Sequence, residues 1–163
     1  MRVKEVIAAS KVIVDVGVWK DGKMQNSAFP LSKSPLNVNA HYRWRCISFT
    51  CFGASFRLLS CYRLDLQKFS AYLGRQDDKN MTVLARYEWH STHEGWHFHV
   101  PRTCDDSQQV PGRTGGCNQR LPLCDQAHRR MVFGVYDDDS AYKTAFHAFR
   151  LGKSSESFRL VAQ

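Results

Sequence analysis

A series of strand-like segments between residues 42 and 100, separated by short polar turns, constrains the fold more than any other feature of the sequence. Each segment is rich in apolar, β-branched and aromatic residues, which is typical of strands. The turns are too short for parallel crossover connections, so neighbouring segments must pair antiparallel. The predicted strands are 42–52, 56–64, 68–74, 81–90 and 96–100.

The flanking sequence predicts three more strands and a helix. Segments 12–19 and 24–29 surround Asp21–Gly22, a preferred type I′ hairpin turn, and 131–136 reads as another strand. Residues 137–140, of sequence Asp-Asp-Asp-Ser, offer N-cap chemistry for a helix over 141–150, which Gly152 would end. The predicted fold class is α+β, with a meandering antiparallel β-sheet of roughly eight strands and a C-terminal helix packed on it.

Length and composition indicate one domain over 1–163, with a hydrophobic share of 43% that suits a globular core. Segment 101–126 is rich in Gly, Pro and Gln and contains three of the six cysteines. Loops of this length are usually functional or held in place by something. We therefore expect the loop over 101–126 either to contribute to function or to be held in place by a bound group.

The net charge of +8, with a pI near 9.4, favours polyanionic partners. Nucleic acid is the first expectation and an acidic protein partner the second. Charged residues at positions 5, 11 and 15 interrupt the apolar N-terminus, so neither a signal peptide nor a membrane anchor is predicted. We therefore expect a cytoplasmic protein.

A histidine-rich hairpin over 88–99 is the strongest functional signal. Strand alternation places Glu88 and His90 on one face of the first strand, opposite Trp89. If the aromatic faces coincide, a four-residue loop at 92–95 pairs His90 with His97 and Glu88 with His99.

Imidazole and carboxylate groups are ligands for divalent metals, with zinc or manganese the first expectation. Three histidines and one carboxylate match a catalytic site better than a structural one, because structural zinc sites favour thiolates. Two other uses of this face stay open: a solvated polar surface, and acid–base or pH-sensing chemistry. The predicted metal ligands are His97, His99, His90 and Glu88.

The segment 95–100, of sequence Gly-Trp-His-Phe-His-Val, resembles the paired-histidine strand of HUH endonucleases, the rolling-circle replication initiators and relaxases. The resemblance is confined to these six residues. It implies that His97 and His99 hold a divalent metal, with Glu88 or His90 as third ligand. It also implies a nucleophilic tyrosine on a later helix, for which Tyr142 is the candidate.

Two further sets of residues are candidates for binding. A structural zinc site is one interpretation of the cysteine-rich loop, and scattered free cysteines are the other; the ligands would be Cys104, Cys117, Cys124 and His128. Arginines interleaved with aromatic residues on consecutive strands could bind a nucleic-acid backbone, or simply form the polar face of a sheet. They are Arg43, Arg45, Arg57 and Arg63.

Two functions follow from these observations. The first is a small basic metal-binding protein that acts as a metal-dependent nuclease on DNA or RNA. The second is a non-enzymatic, zinc-stabilised module that binds nucleic acid or an acidic protein.

Overall fold

The chain forms an antiparallel sheet with a C-terminal helix packed against it, which confirms the predicted α+β class. This computed structural model describes residues 2–31, 36–90, 93–101, 118–121 and 132–152. The strands are β1 (Val12–Asp15), β2 (Lys20–Asp21), β3 (Arg43–Cys51), β4 (Ala54–Arg63), β5 (Lys68–Asp77), β6 (Asn80–His90), β7 (His93–Pro101) and β8 (Asn118–Leu121). The helices are α1 (Val3–Ala8) and α2 (Asp138–Ala148).

Strands β3 to β7 form the predicted meander, each pairing antiparallel with the next. β8 extends it by pairing with β7, which corrects the prediction of a loop over the whole of 101–126. Tight turns join the long strands, and their backbones use left-handed conformations: φ is 50° at Phe52, 73° at Gly53 and 50° at Asp78. Short connections of this kind bring consecutive strands side by side. The candidate hairpin β6–β7 therefore lies inside the sheet, with β8 along its outer edge.

The N-terminal strands differ from the prediction. Gly22 adopts φ of 88°, as expected of the Asp21–Gly22 turn, but no hairpin forms there. Both β1 and β2 instead pair with β3, whose long edge provides more ladder hydrogen bonds. The predicted strand 24–29 is replaced by a short 3-10 helix, Asn26–Ala28, and Met24 and Phe29 are buried on either side of it.

The C-terminal elements also differ in detail. Residues 132–136, within the predicted strand 131–136, are not in a strand. Helix α2 begins at Asp138, where the Asp137 side chain accepts a hydrogen bond from the Ser140 backbone amide, as the acidic N-cap prediction implies. It ends before Gly152: Arg150, with φ of 51°, takes the left-handed position that we expected of the glycine.

Hydrophobic side chains pack on both faces of the sheet. One core lies between the sheet and the helices, and includes Phe49, Phe69, Trp96 and Phe149. A smaller core lies on the other face, where residues of 24–31 and 36–38 pack against the sheet. On β6 it includes Met81 and Val83, and the polar side chains of Arg86, Glu88 and His90 follow along the same face of that strand.

Asp138 at the start of α2 ties the helix to the sheet. Its carboxylate accepts hydrogen bonds from Arg43 Nε at 2.8 Å and from the Tyr62 hydroxyl at 2.7 Å. The Arg43 hydrogen bond is the main reason that the pKa of Asp138 lies below its usual value of 3.8; burial opposes the shift and Tyr62 adds to it. The carboxylate therefore stabilises the fold only in its ionised form.

Substitution Asp138→Asn is expected to lower the free energy of unfolding by roughly 1 kcal/mol at neutral pH, a modest loss because solvent screens a pair this exposed. A lowered folded pKa contributes stability above the unfolded pKa and loses it as pH falls through the folded value. The difference between wild type and variant should therefore shrink below about pH 4. Urea unfolding at several pH values measures it; a constant difference down to acid pH would contradict the assignment.

Candidate metal centre

The four predicted ligands lie together on β6 and β7, on the sheet face opposite α2. We call Glu88, His90, His97 and His99 the His/Glu cluster. Its pairing differs from the prediction: Glu88 lies opposite His97, and His99 lies opposite Arg86. The register is thus shifted by two residues, and a shift of two keeps every side chain on its original face.

A bulge in β7 explains the shift. His90 pairs with His93, so one residue on β6 faces three residues on β7 between this pair and Glu88–His97. Gly95 lies in the bulge with φ of 95°, a backbone conformation that glycine adopts without strain. The sequence predicted a left-handed Gly95 at the end of a loop at 92–95; the glycine instead lies within the strand, which begins at His93.

The imidazoles of the His/Glu cluster converge on one carboxylate oxygen. Glu88 Oε1 lies 2.9 Å from Nε2 of His99, and 3.4 Å from Nε2 of both His90 and His97. One ligand atom from each of Glu88, His90 and His97 lies within 4.8 Å of the others. These three side chains form a group that could hold a metal ion.

A contact at Nδ1 of His97 indicates which ring nitrogen carries the proton. Nδ1 of His97 lies 2.9 Å from the carbonyl oxygen of Gly95, and a carbonyl only accepts, so Nδ1 carries a proton. In the neutral ring, Nε2 then presents its lone pair towards Glu88 Oε1. Either a second proton on Nε2 or a cation near both atoms must relieve the repulsion. A backbone acceptor on the remote nitrogen is also the usual arrangement around metal-binding histidines.

Burial and neighbouring charges set the protonation of the His/Glu cluster. Burial alone raises the pKa of Glu88, but His97, Arg86 and the other two imidazoles together lower it to about 2. Burial lowers the pKa of His99, as does the charge of Arg86, although Glu88 opposes them. An ionised carboxylate and a neutral imidazole are the forms that bind metals.

Two of the groups that surround Glu88 were absent from the sequence prediction. Arg86 Nε lies 2.9 Å from Glu88 Oε2, and Ser70 Oγ approaches the same oxygen at 3.5 Å. Strand alternation does place Arg86 on the same face of β6 as Glu88, although Arg86 was not predicted to belong to the site. Ser70 could not be identified without the β5–β6 register, in which it lies opposite Glu88.

A cavity of about 300 Å³ opens beside the His/Glu cluster. Glu88 and His97 are almost fully buried, at 5% and 1% exposure, whereas His90 is partly exposed and lines this cavity. Tyr42 and Lys68 also line it. Solvent or a small ligand therefore has a route to the His90 side of the cluster.

Tyr142 lies on the other face of the sheet from the histidines. It belongs to α2, where its ring contacts Phe146 at a centroid distance of 5.3 Å and lies beneath the guanidinium of Arg45. The structure therefore does not bring Tyr142 to the His/Glu cluster.

The four candidate nucleic-acid-binding arginines are divided between the two faces. Arg43 and Arg45 lie on the helix face, where Arg43 binds Asp138 and Arg45 donates to the Val16 carbonyl. Arg57 and Arg63 lie on the other face; Arg57 donates to backbone carbonyls of the 3-10 helix, and Arg63 binds Asp65. They do not form one continuous surface.

The second candidate metal site falls outside the described residues: Cys104, Cys117, Cys124 and His128 all lie in 102–117 and 122–131. Among the described residues, Cys46, Cys51 and Cys61 are free thiols. Burial raises the pKa of Cys61 to about 12, with Glu88 as a further cause, so this thiol stays protonated beside the cluster.

None of the helices in the described part of the chain is long and apolar enough to cross a membrane. Comparisons of the chain with protein-family models, with curated proteins and with solved structures found no match. A functional assignment therefore rests on the geometry of the His/Glu cluster.

Proposed function

We propose that the protein binds a divalent metal through Glu88, His90 and His97, and uses it to hydrolyse phosphodiesters of DNA or RNA. The observation that carries the proposal is the convergence of the imidazoles of His90, His97 and His99 on one oxygen of the buried Glu88 carboxylate. A metal ion bound there would be coordinated by that carboxylate and by the rings of His90 and His97. His99 then either orients Glu88 through the 2.9 Å contact or serves as a fourth ligand.

The open side of the cluster supports catalysis over a purely structural role. Catalytic zinc sites retain a position for water or substrate, whereas structural sites are closed by four protein ligands. The cavity beside His90 offers such a position. A metal there would supply a Lewis acid and an activated water, which is the chemistry that phosphodiester cleavage needs. The basic net charge would favour association with the polyanion.

Metal content is the first measurement. Purified wild-type protein is expected to bind close to one divalent ion per chain, and His97→Ala should lose most of it. His147→Ala is the matched control, because His147 is an exposed histidine on α2. A metal content unaffected by His97→Ala, or a wild type that binds no divalent ion at all, would contradict the metal site.

Cleavage of single- and double-stranded oligonucleotides tests the reaction. We expect activity that requires the added metal, stops with a chelator and falls by at least about a hundredfold in His97→Ala. If the metal binds but no oligonucleotide is cut, and if removal of the metal unfolds the protein, the cluster is a structural site and the chain a zinc-stabilised module.

A further inference from the structure

Lys68 is the basic side chain that remains available beside the candidate metal site. Among the described residues, the other cations near the cavity are paired: Arg63 with Asp65, and Arg86 with Glu88. The Lys68 ammonium has no carboxylate or hydrogen-bonding partner in this part of the chain, and it lines the cavity. It therefore presents an uncompensated positive charge to whatever occupies the cavity.

The strand register places Lys68 next to His90. Phe69 on β5 pairs with Trp89 on β6. Because the strands are antiparallel, Lys68, which precedes Phe69, lies beside His90, which follows Trp89. Both therefore project from the same face of neighbouring strands, where side chains of opposed residues begin roughly 5 Å apart. A lysine side chain is long enough to reach an atom bound at the metal.

The charges in this region favour an oxyanion. A divalent metal bound by one carboxylate and neutral imidazoles retains one positive charge, to which Arg86 and Lys68 each add another. A tetrahedral phosphoryl group has several oxygens, so one can bind the metal while a second accepts a hydrogen bond from the ammonium. Such an arrangement both orients the group and balances its charge.

We infer that Lys68 is a substrate-binding residue, which holds a non-bridging phosphoryl oxygen while the metal on Glu88, His90 and His97 holds another. The inference rests on the proposed function, because it requires the metal. It adds a specific anion subsite on β5, a strand from which the sequence suggested no functional residue.

Calorimetric titration of the metal-loaded protein with inorganic phosphate and with dimethyl phosphate tests the inference. Lys68→Met, which keeps the aliphatic stem, is expected to weaken binding of both probes roughly tenfold, the loss of one charge-assisted hydrogen bond. Lys68→Arg should restore most of the affinity. Lys79→Met, in the exposed turn between β5 and β6, is the matched control and should bind as wild type.

Metal content, measured on each variant, separates the two proposals. If Lys68→Met retains the metal and binds phosphate as tightly as wild type, the subsite is wrong and the metal site stands. Acetate that binds as tightly as dimethyl phosphate would also overturn the phosphoryl assignment. A wild type without metal overturns both proposals, and that result is visible before any titration.

Discussion

Substitution Glu88→Ala is expected to abolish metal binding and to lower the free energy of unfolding by about 3–5 kcal/mol, even in the metal-free protein. The carboxylate is buried at the centre of the His/Glu cluster and bound to Arg86. Its removal leaves a partly buried guanidinium without its counter-charge, which is the costly way to break an ion pair. Urea unfolding with a chelator present measures the stability, and elemental analysis measures the metal.

Two further variants make that result specific. Asp65→Ala breaks the Arg63–Asp65 pair, in which the aspartate side chain is 63% exposed, and should leave stability close to that of wild type because solvent screens the pair. Glu88→Gln keeps the shape of the side chain and should lose the metal with a smaller loss of stability. An unfolding midpoint of Glu88→Ala equal to that of wild type would show that the cluster does not hold the hairpin together.

Trp96→Ala is expected to cost about 3–5 kcal/mol and to weaken metal binding as well. The indole is buried among aromatic rings, with centroids 5.0 Å from Tyr87 and 5.3 Å from Phe69, and it donates a hydrogen bond to the Val132 carbonyl at 2.9 Å. Because Trp96 immediately precedes His97, collapse of this packing on one face of β7 displaces a ligand on the other. Urea unfolding and metal titration measure the two effects.

Tyr136→Ala is the matched control for this substitution. Its aromatic ring is 69% exposed, so its removal should change stability by no more than about 0.5 kcal/mol. Trp96→Phe keeps most of the buried area but loses the hydrogen bond to Val132. Its loss of stability should lie between those of Trp96→Ala and Tyr136→Ala. A metal affinity unchanged in a destabilised Trp96→Ala would mean that the two faces of β7 are not coupled.

The central sheet could be predicted because its constraints are local. The strands from 43 to 90 are rich in apolar, β-branched and aromatic residues, and the short turns between them favour pairing of each strand with the next. The N-terminal pairing could not be predicted, because Asp21–Gly22 indicates a turn but does not say which strand receives the segments on either side. The long edge of β3 attracts both β1 and β2, and that competition depends on the assembled sheet.

The candidate site could be predicted in its membership but not in its geometry. Alternation alone places Glu88, His90, His97 and His99 on one face, and the contacts around Glu88 agree with that grouping. Register requires the position of the bulge, and a glycine at 95 is compatible with a loop as well as with a bulged strand. Lys68 and Ser70 lie beside the cluster only through the pairing of β5 with β6, whose register the sequence does not specify.

The bulge at Gly95 decides which residues of the hairpin lie opposite one another, and it separates the observed pairing from a straight one. The straight pairing places His90 against His97, and the bulged one places Glu88 there; both keep the same residues on the same face. Only the bulged pairing puts an anion directly between imidazoles from both strands. The proposed metal, held by Glu88, His90 and His97, would stabilise that pairing over the straight one by the difference between its binding free energies to the two. Metal binding and the bulged register would then stabilise each other.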